Sequence, residues 1–178
     1  MDPYELMEEA MAGSGGDKFL SPKEGEGPFV LTIFGRPHVE KLWWNGANYE
    51  LWDDDNVDHD SPTFEMNVNA YDHNLKKMRI LQGKVSLIIA YNEALEEYGK
   101  DTGETKPSGK PVKTIEHRVF KVSKHGKGTQ TRFPFLLQPD IPVPAEVGTP
   151  WDLEAQSAQK WKKERPAPAP APNSDLPF

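Results

Sequence analysis

Residues 64–71 read Phe-Glu-Met-Asn-Val-Asn-Ala-Tyr, the most regular alternation of apolar and polar side chains in this 178-residue chain. Successive side chains of a β-strand point to opposite faces, so this period of two predicts a strand with one face in a core. The predicted core face carries Phe64, Met66, Val68 and Ala70. The next residues, Asp72-His73-Asn74, favour a turn, and the strand is therefore predicted to be half of a hairpin.

The predicted returning strand covers residues 76–82, with Met78 and Ile80 directed into the core. In a paired hairpin, side chains on one face of both strands lie close together. The outer face is then predicted to carry Asn67, Asn69, Tyr71, Lys77 and Arg79.

Shorter strands are predicted before this hairpin. Residues 29–34 alternate, and Gly35-Arg36-Pro37 is predicted to end that strand. Residues 39–45 and 49–52 then flank Gly46-Ala47-Asn48, which is typical of a second hairpin.

The period changes after the hairpin of residues 64–82. Apolar residues of 85–98 recur at helical spacing, and Gly99 is predicted to stop that helix. Residues 101–113 are rich in Gly, Pro, Thr and Lys, which predicts a mobile loop. Strands are predicted again over residues 114–124 and 129–137, the second being an edge or bulged strand at Pro134.

These elements indicate a mainly β fold. The simplest closure is an OB-like five-stranded barrel with one inserted α-helix, and other small barrels are the alternatives. Three parts are predicted along the chain: an acidic, helical N-terminal arm over residues 1–16, the barrel over 17–140, and a flexible C-terminal tail over 141–178. The tail is predicted to hold a short helix from about Thr149 to Glu164, a Pro/Ala linker and a terminal tip.

The formal net charge of -7 hides an uneven distribution. Residues 106–132 hold eight Lys or Arg side chains against Glu116 alone, a local balance of +7 (8 − 1). Local field rather than net charge attracts a phosphate backbone, although a basic strand face can also be merely solvated. The chain has no cysteine, its acidic start differs from a signal peptide, and no apolar run reaches a membrane-spanning length, so we expect a cytoplasmic protein.

Aromatic residues crowd one short segment. Trp43, Trp44, Tyr49 and Trp52 all lie on the predicted second hairpin. Trp43 and Trp44 must point to opposite faces if the segment is a strand, so one ring can be in the core while the other is on the surface. Exposed rings beside basic residues suit base stacking, whereas buried ones belong to the core.

Catalytic and metal-binding patterns are not found in the sequence. Residues 53–60 are acidic but fail the EF-hand spacing, because Asp58 occupies the glycine position and Phe64 the final glutamate position. The five histidines show no ligand spacing, and no Walker A loop occurs. We therefore expect no enzyme activity, no cofactor and no metal site.

The last residues, Ser174-Asp175-Leu176-Pro177-Phe178, form the most specific motif. An acidic residue precedes an apolar pair, and the aromatic side chain that follows carries the α-carboxylate. A basic, apolar pocket could bind such a tip by ring insertion and carboxylate capture. The tip is similar to the acidic Asp-Leu/Ile-Pro-Phe ending of bacterial single-stranded-DNA-binding proteins. The alternative is a frayed terminus.

The region 17–140 resembles a different group, the helix-destabilising proteins of T-even-like phages. The similarity lies in Lys18-Phe19-Leu20, Lys23-Glu24-Gly25, Trp43-Trp44, residues 64–71 with 77–81, the helix 85–98 and residues 120–133. It implies an OB fold, a basic and aromatic cleft for single strands, and work at the replication fork. The chain lacks the cysteine-rich zinc site of that family, and its arm is acidic rather than basic, so neither metal dependence nor arm-mediated cooperativity is carried over.

From these features we expect a sequence-tolerant binder of single-stranded DNA in phage DNA replication, recombination or repair. It would recruit partner proteins through Asp175, Leu176, Pro177 and Phe178. The predicted stacking residues are Trp43, Trp44, Tyr49, Trp52 and Tyr71. The predicted phosphate-binding residues are Lys77, Arg79, Arg118, Lys121, Lys124, Lys127 and Arg132. A protein-interaction adaptor built on the same barrel is the alternative, and an enzyme is the third hypothesis.

Overall fold

The structure is a computed structural model that describes Pro3, residues 17–55 and residues 61–164, without the side chains of residues 162–164. Its strands are β1 (Phe19–Leu20), β2 (Phe29–Trp44), β3 (Tyr49–Leu51), β4 (Thr63–Asp72), β5 (Lys77–Gly83), β6 (Lys100–Thr105), β7 (Pro111–Thr114), β8 (Val119–Val122) and β9 (Phe135–Leu137). The helices are α1 (Val85–Tyr98) and α2 (Leu153–Glu164), and a 3-10 turn covers Gly128–Gln130. The predicted N-terminal arm, apart from Pro3, and the Pro/Ala linker with its tip lie outside these residues.

One curled sheet in the shape of a half-barrel dominates the fold, so the prediction of a mainly β protein is confirmed. Its strands follow the order β1-β5-β4-β2-β8-β9, with β3 paired to the end of β2. The pairs are antiparallel except for β1 with β5. α1 follows β5 and packs against β4, β5 and β9. Both helices in the described ranges fall short of the length and apolar composition needed to cross a membrane.

The core lies on the inner face of this sheet. Met66, Val68 and Ala70 are buried there, as predicted, whereas Phe64 near the start of β4 is 38% exposed. Tyr91 of α1 packs edge-on against Phe135, with ring centroids 6.3 Å apart. Each fully buried apolar side chain of this size contributes about 1.5–3 kcal/mol, so the inner face stabilises the half-barrel.

Strand β2 is longer than predicted, because Gly35-Arg36-Pro37 does not end it. The pairing with β4 shifts register between Phe34 and His38, which is a β-bulge. Gly35 takes a φ of +69°, a value that favours glycine. Pro37 has no backbone N–H to donate, and a bulge tolerates this because the ladder of hydrogen bonds is interrupted there. The segment that reads as a strand end is therefore a bend within one continuous strand.

The predicted orientation of β5 is wrong. Met78 pairs with Tyr71 and Ile80 pairs with Asn69, so both apolar side chains lie on the outer face. Lys77 and Arg79 are consequently on the opposite face. Met78 and Ile80 are nevertheless 7% and 1% exposed, because a later segment of the chain covers the outer face. The alternation of residues 77–80 therefore indicated the wrong face, because the strap buries the two apolar side chains and Asp72 pairs with Arg79 on the other side.

The predicted loop 101–113 contains a second, two-stranded sheet formed by β6 and β7. Its strands are mostly exposed and carry no apolar alternation, which explains why the sequence pattern did not reveal them. The predicted final strand, 129–137, is instead a 3-10 turn followed by the short strand β9, which begins just after Pro134.

Candidate nucleic-acid interface

The aromatic hairpin, residues 43–52, forms where it was predicted. Trp44 pairs with Tyr49 across β2 and β3, and their rings meet edge to face with centroids 5.0 Å apart. These two side chains are 50% and 39% exposed, which leaves ring surface open to a ligand. Trp43 points to the other face of the sheet and is half-buried. The prediction that the two neighbouring tryptophans point to opposite faces is confirmed, although Trp43 is not part of the core.

Two lysines accompany these rings. The Nζ atom of Lys84 lies 4.0 Å from the centroid of the Tyr49 ring, and that of Lys41 lies 4.6 Å from the Trp52 ring. Trp52 is half-buried and donates its indole N–H to Asp54. Cations over ring faces are electrostatically favourable and also place positive charge beside possible stacking platforms. Sequence reasoning missed both lysines, since neither belongs to a basic run.

A second group of candidates forms the basic loop, residues 121–132. Lys121 lies in β8 opposite Val30 and Leu136, and the loop beyond it holds Lys124, Lys127 and Arg132. Within the described part of the chain, none of these four side chains forms an ion pair. Four positive charges without a carboxylate partner are suited to contacts with phosphates.

Gly126 shapes the turn of this loop. Its φ is +80°, and a Cβ atom added there would lie 2.3 Å from the carbonyl oxygen of Gln130. Beyond the turn, His125 and Arg132 exchange backbone hydrogen bonds of 2.9 and 2.7 Å. The loop is therefore a closed hairpin, and its backbone hydrogen bonds fix the positions of the Cα atoms that carry the cationic side chains.

The basic segment predicted from residues 106–132 is not one surface. Lys106 and Lys110 lie at the turn between β6 and β7, which precedes β8, whereas Lys124 and Lys127 follow that strand. Arg118 lies just before β8, is half-buried, and keeps a buried Nε atom that has no hydrogen-bond partner in the described residues. Strand β6 lies beside Arg36, which pairs with Glu104, whereas Lys124 lies beside Glu24, so the predicted local charge of +7 is divided between two parts of the fold.

Arg79 was predicted to bind phosphate, and the structure corrects this. Its Nη1 atom lies 3.0 Å from Asp72 Oδ2, and both side chains are buried. The guanidinium also donates to the carbonyl oxygens of Asp17 and Phe19, at 2.7 and 3.1 Å. Arg79 thus ties β1 to the sheet and has no exposed group to offer a ligand. The neighbouring Lys77 forms an exposed ion pair with Asp17, with Nζ and Oδ2 3.0 Å apart.

Tyr71, a predicted stacking residue, is only 6% exposed. It lies on the outer face as expected, but packs with Phe34, Met78 and Val147. Its ring also meets His73 edge-on, with centroids 5.4 Å apart. His73 Nε2 lies 2.7 Å from the Thr32 hydroxyl, and burial lowers the pKa of the imidazole despite the nearby Asp72. Burial therefore favours the neutral form of this ring.

The segment that covers Tyr71 is part of the predicted flexible tail. Residues 147–161, here called the strap, lie across the outer face of β4 and β5. The predicted short helix is confirmed as α2, where the Asp152 carboxylate caps the N–H of Ala155 at 3.1 Å. Trp151 and Trp161 attach the two ends of the strap to the sheet.

The attachment of Trp151 is mainly through hydrogen bonds. Its backbone N–H donates to Asn69 Oδ1 at 2.9 Å, and its carbonyl accepts from Asn69 Nδ2 at 2.8 Å. The Lys18 Nζ atom lies 4.3 Å from the centroid of its indole ring. The side-chain amide of Asn69 thus binds the strap much as a neighbouring strand would.

The attachment of Trp161 is buried. The indole, 5% exposed, donates its N–H to Glu40 Oε2 at 2.8 Å. Beside it, Lys160 Nζ lies 4.0 Å from Glu65 Oε1, and Glu65 is the cross-strand partner of Glu40. The strap therefore covers two buried carboxylates that face the outside of the sheet. Nothing in the sequence predicted this contact, which joins residues far apart in the chain.

No family model matches this chain, and neither curated proteins nor solved structures give a significant match.

Proposed function

We propose that this chain binds single-stranded DNA with little sequence preference, on an OB-like barrel and without catalytic activity. The strand order β5-β4-β2-β8-β9, with a helix between β5 and β8, supports an OB-like barrel. In OB folds, oligonucleotides bind the face of the second and third strands and the two loops that flank it. Under this proposal those strands are β4 and β5, and the flanking elements are the aromatic hairpin and the basic loop.

The observation that carries the proposal is the composition of these two elements. One presents the exposed rings of Trp44 and Tyr49, with Lys84 over the Tyr49 ring. The other presents Lys121, Lys124, Lys127 and Arg132, unpaired within the described residues. Ring stacking and phosphate contacts are both tolerant of sequence, because every base has a π face and every nucleotide has a phosphate.

A fluorescence-anisotropy titration with labelled oligo-dT and with a duplex of equal length tests this function. We expect tighter binding to the single strand and a linear fall of log K with log salt, at a slope of about 0.7 per phosphate contact. Equal or tighter binding to the duplex would contradict the proposal.

The alternative function is a non-enzymatic protein-interaction adaptor. The observation that favours it is a cleft of mixed polarity beside α1, where Ile89, Phe133 and Pro134 form an apolar part and Ile89 is 53% exposed. Exposed apolar side chains around a cleft are typical of protein contacts. An adaptor would bind oligo-dT weakly and with little salt dependence, so the same titration separates the two functions.

The basic loop gives a prediction of its own. Replacing Lys121 and Lys127 with alanine together should weaken binding of all sequences about equally and lower the salt slope by about 1.4, since two phosphate contacts are lost. Titrations at several salt concentrations measure both effects. The matched control replaces Lys106 and Lys110 on the β6–β7 turn and should change little. If the two double variants behave alike, the loop is an ordinary solvated surface.

Partner recruitment is proposed to reside in the tip, Asp175 to Phe178. Its resemblance to bacterial single-stranded-DNA-binding tails supports replication, recombination or repair proteins as partners and a place in a phage-infected bacterial cytoplasm. The linker of residues 165–172 could span up to about 25 Å if extended as polyproline, which would let a partner dock while the barrel holds DNA.

Deleting Phe178 should abolish capture of such partners and leave oligo-dT affinity nearly unchanged, because the aromatic ring that would enter the partner's pocket is lost. A pull-down with purified replication proteins that bind bacterial tips of this kind measures the first effect, and anisotropy measures the second. Asn173→Ala, upstream of the tip, is the control. Survival of capture after the deletion would show that the tip is an ordinary chain end.

A further inference from the structure

The strap lies on the path between the two elements of the proposed interface. Strand β2 runs from Val30, which pairs with Lys121, to Trp44 of the aromatic hairpin. Val147 packs against the cluster that contains Phe34, four residues (34 − 30) from Val30, and Trp161 binds Glu40, four residues (44 − 40) from Trp44. A single strand that contacts both the basic loop and the hairpin must therefore cross the surface that residues 147–161 occupy.

We propose that the strap is a removable cover, and that single-stranded DNA and the strap compete for the outer face of β4 and β5. This inference rests on the proposed function. The competing segment is residues 147–161, which are folded. The charged tip at the end of the chain has no part in this competition.

The surface under the strap has groups that a base could use. Tyr71 and Phe34 lie beneath Val147, so its departure uncovers aromatic surface. Both the donor and the acceptor of the Asn69 side-chain amide are bound to the Trp151 backbone. Once released, that amide could pair with the edge of a base in the same manner. The strap thus occupies a stacking surface and a hydrogen-bonding group that would serve a nucleotide.

Release of the strap leaves its two carboxylate partners bound within the barrel. Glu65 Oε2 keeps the Lys84 Nζ atom at 2.8 Å, and Glu40 Oε1 keeps His38 Nε2 at 3.2 Å. An unpaired buried charge would oppose opening strongly; Glu65 keeps the charged Lys84 as its partner, and Glu40 keeps its contact with the His38 ring. The strap is joined covalently to β9 by a short connection that contains Pro139, Pro142 and Pro144. A released strap therefore stays close to the sheet and can rebind.

The test locks the strap in place. The chain has no cysteine, so Gln82→Cys with Gln156→Cys introduces one pair across the cleft of about 460 Å³ between strap and sheet. A bifunctional maleimide then cross-links the full-length protein. We expect the cross-linked protein to bind oligo-dT at least about tenfold more weakly than the same variant before cross-linking, since only the open fraction binds.

The control cross-links Lys100→Cys with Thr114→Cys, a register pair of the β6–β7 hairpin, and should leave affinity unchanged. Hydrogen exchange gives a second measurement on the unmodified chain: oligo-dT should speed exchange of the Trp151 amide, which now donates to Asn69. Equal affinity with and without the strap cross-link, or slower exchange on binding, would overturn the inference while the proposed function stands. Failure of every form to bind oligo-dT would overturn both.

Discussion

Replacing Trp44 and Tyr49 with alanine together is expected to lower oligo-dT affinity by about 30-fold or more, since the two rings together would contribute at least about 2 kcal/mol. Loss of a stacking ring costs roughly 1–3 kcal/mol per base, and each 1.4 kcal/mol is a factor of ten in Kd. The two rings contact each other edge to face and are among the most exposed aromatic side chains of the described residues. The same anisotropy titration measures the change, and its salt slope should stay nearly constant because no phosphate contact is removed.

Phe64 supplies the matched control for this double variant. It is 38% exposed and pairs with Lys41, so it lies on the opposite face of the same sheet from Trp44. Phe64→Ala removes a comparable exposed ring without touching the proposed interface and should bind like the unmodified chain. Should Phe64→Ala lose as much affinity as the double variant, the effect would reflect general damage to the sheet rather than stacking.

Arg79→Met is expected to lower the free energy of unfolding by about 3–5 kcal/mol, the cost of breaking a buried ion pair from one side. The change leaves the Asp72 carboxylate, 1% exposed, without its guanidinium partner. It also removes the donors that hold the backbone of Asp17 and Phe19 beside β5. Urea unfolding followed by circular dichroism measures the loss.

Lys77→Met is the control, since this neighbour on β5 forms an ion pair in which both side chains are largely exposed, at 43% and 66%. Exposed pairs contribute about 0–1 kcal/mol, so this variant should be nearly as stable as the unmodified chain. Arg79→Lys should fall between the two, because an ammonium group cannot form the forked set of contacts. Equal and small losses of unfolding free energy in all three variants would mean that the Arg79–Asp72 ion pair does not stabilise the fold.

Strand β4 was predicted well because its outer face carries the polar side chains of Glu65, Asn67 and Asn69, although the strap buries two of them. Met66, Val68 and Ala70 face the core while Asn67 lies on the outer face, so the period of two is visible there. Trp43 and Trp44 could likewise be assigned to opposite faces, because adjacent residues of a strand must differ. The helix of residues 85–98 was predicted from the helical spacing of Val85, Ile88, Tyr91, Asn92, Leu95 and Tyr98. The helix is confirmed, but its buried residues are Leu87, Tyr91 and Ala94, and Val85 is 42% exposed.

The predictions that failed depend on contacts between distant residues. Met78 and Ile80 resembled a core face because the strap buries them from outside, and no local pattern distinguishes burial by a sheet from burial by a tail. Arg79 resembled a solvated cation because its partner Asp72 belongs to another strand. In the sequence, Trp161 is an isolated aromatic residue in a polar helix. Its hydrogen bond to Glu40, a residue far earlier in the chain, is what attaches the strap to the sheet.

The length of strand β2 sets the distance between the basic loop and the aromatic hairpin. Fourteen residues (44 − 30) separate Val30, beside the basic loop, from Trp44 in the aromatic hairpin. At about 3.3 Å per residue a straight strand of this length spans roughly 46 Å, and the bulge at Gly35 shortens it. Because the basic loop pairs with one end of β2 and the aromatic hairpin forms its other end, the distance between them depends on the number of residues in that strand. If the proposed function holds, the number of residues in β2 sets the shortest oligonucleotide that can contact both elements, and inserting two residues into β2 would increase that length.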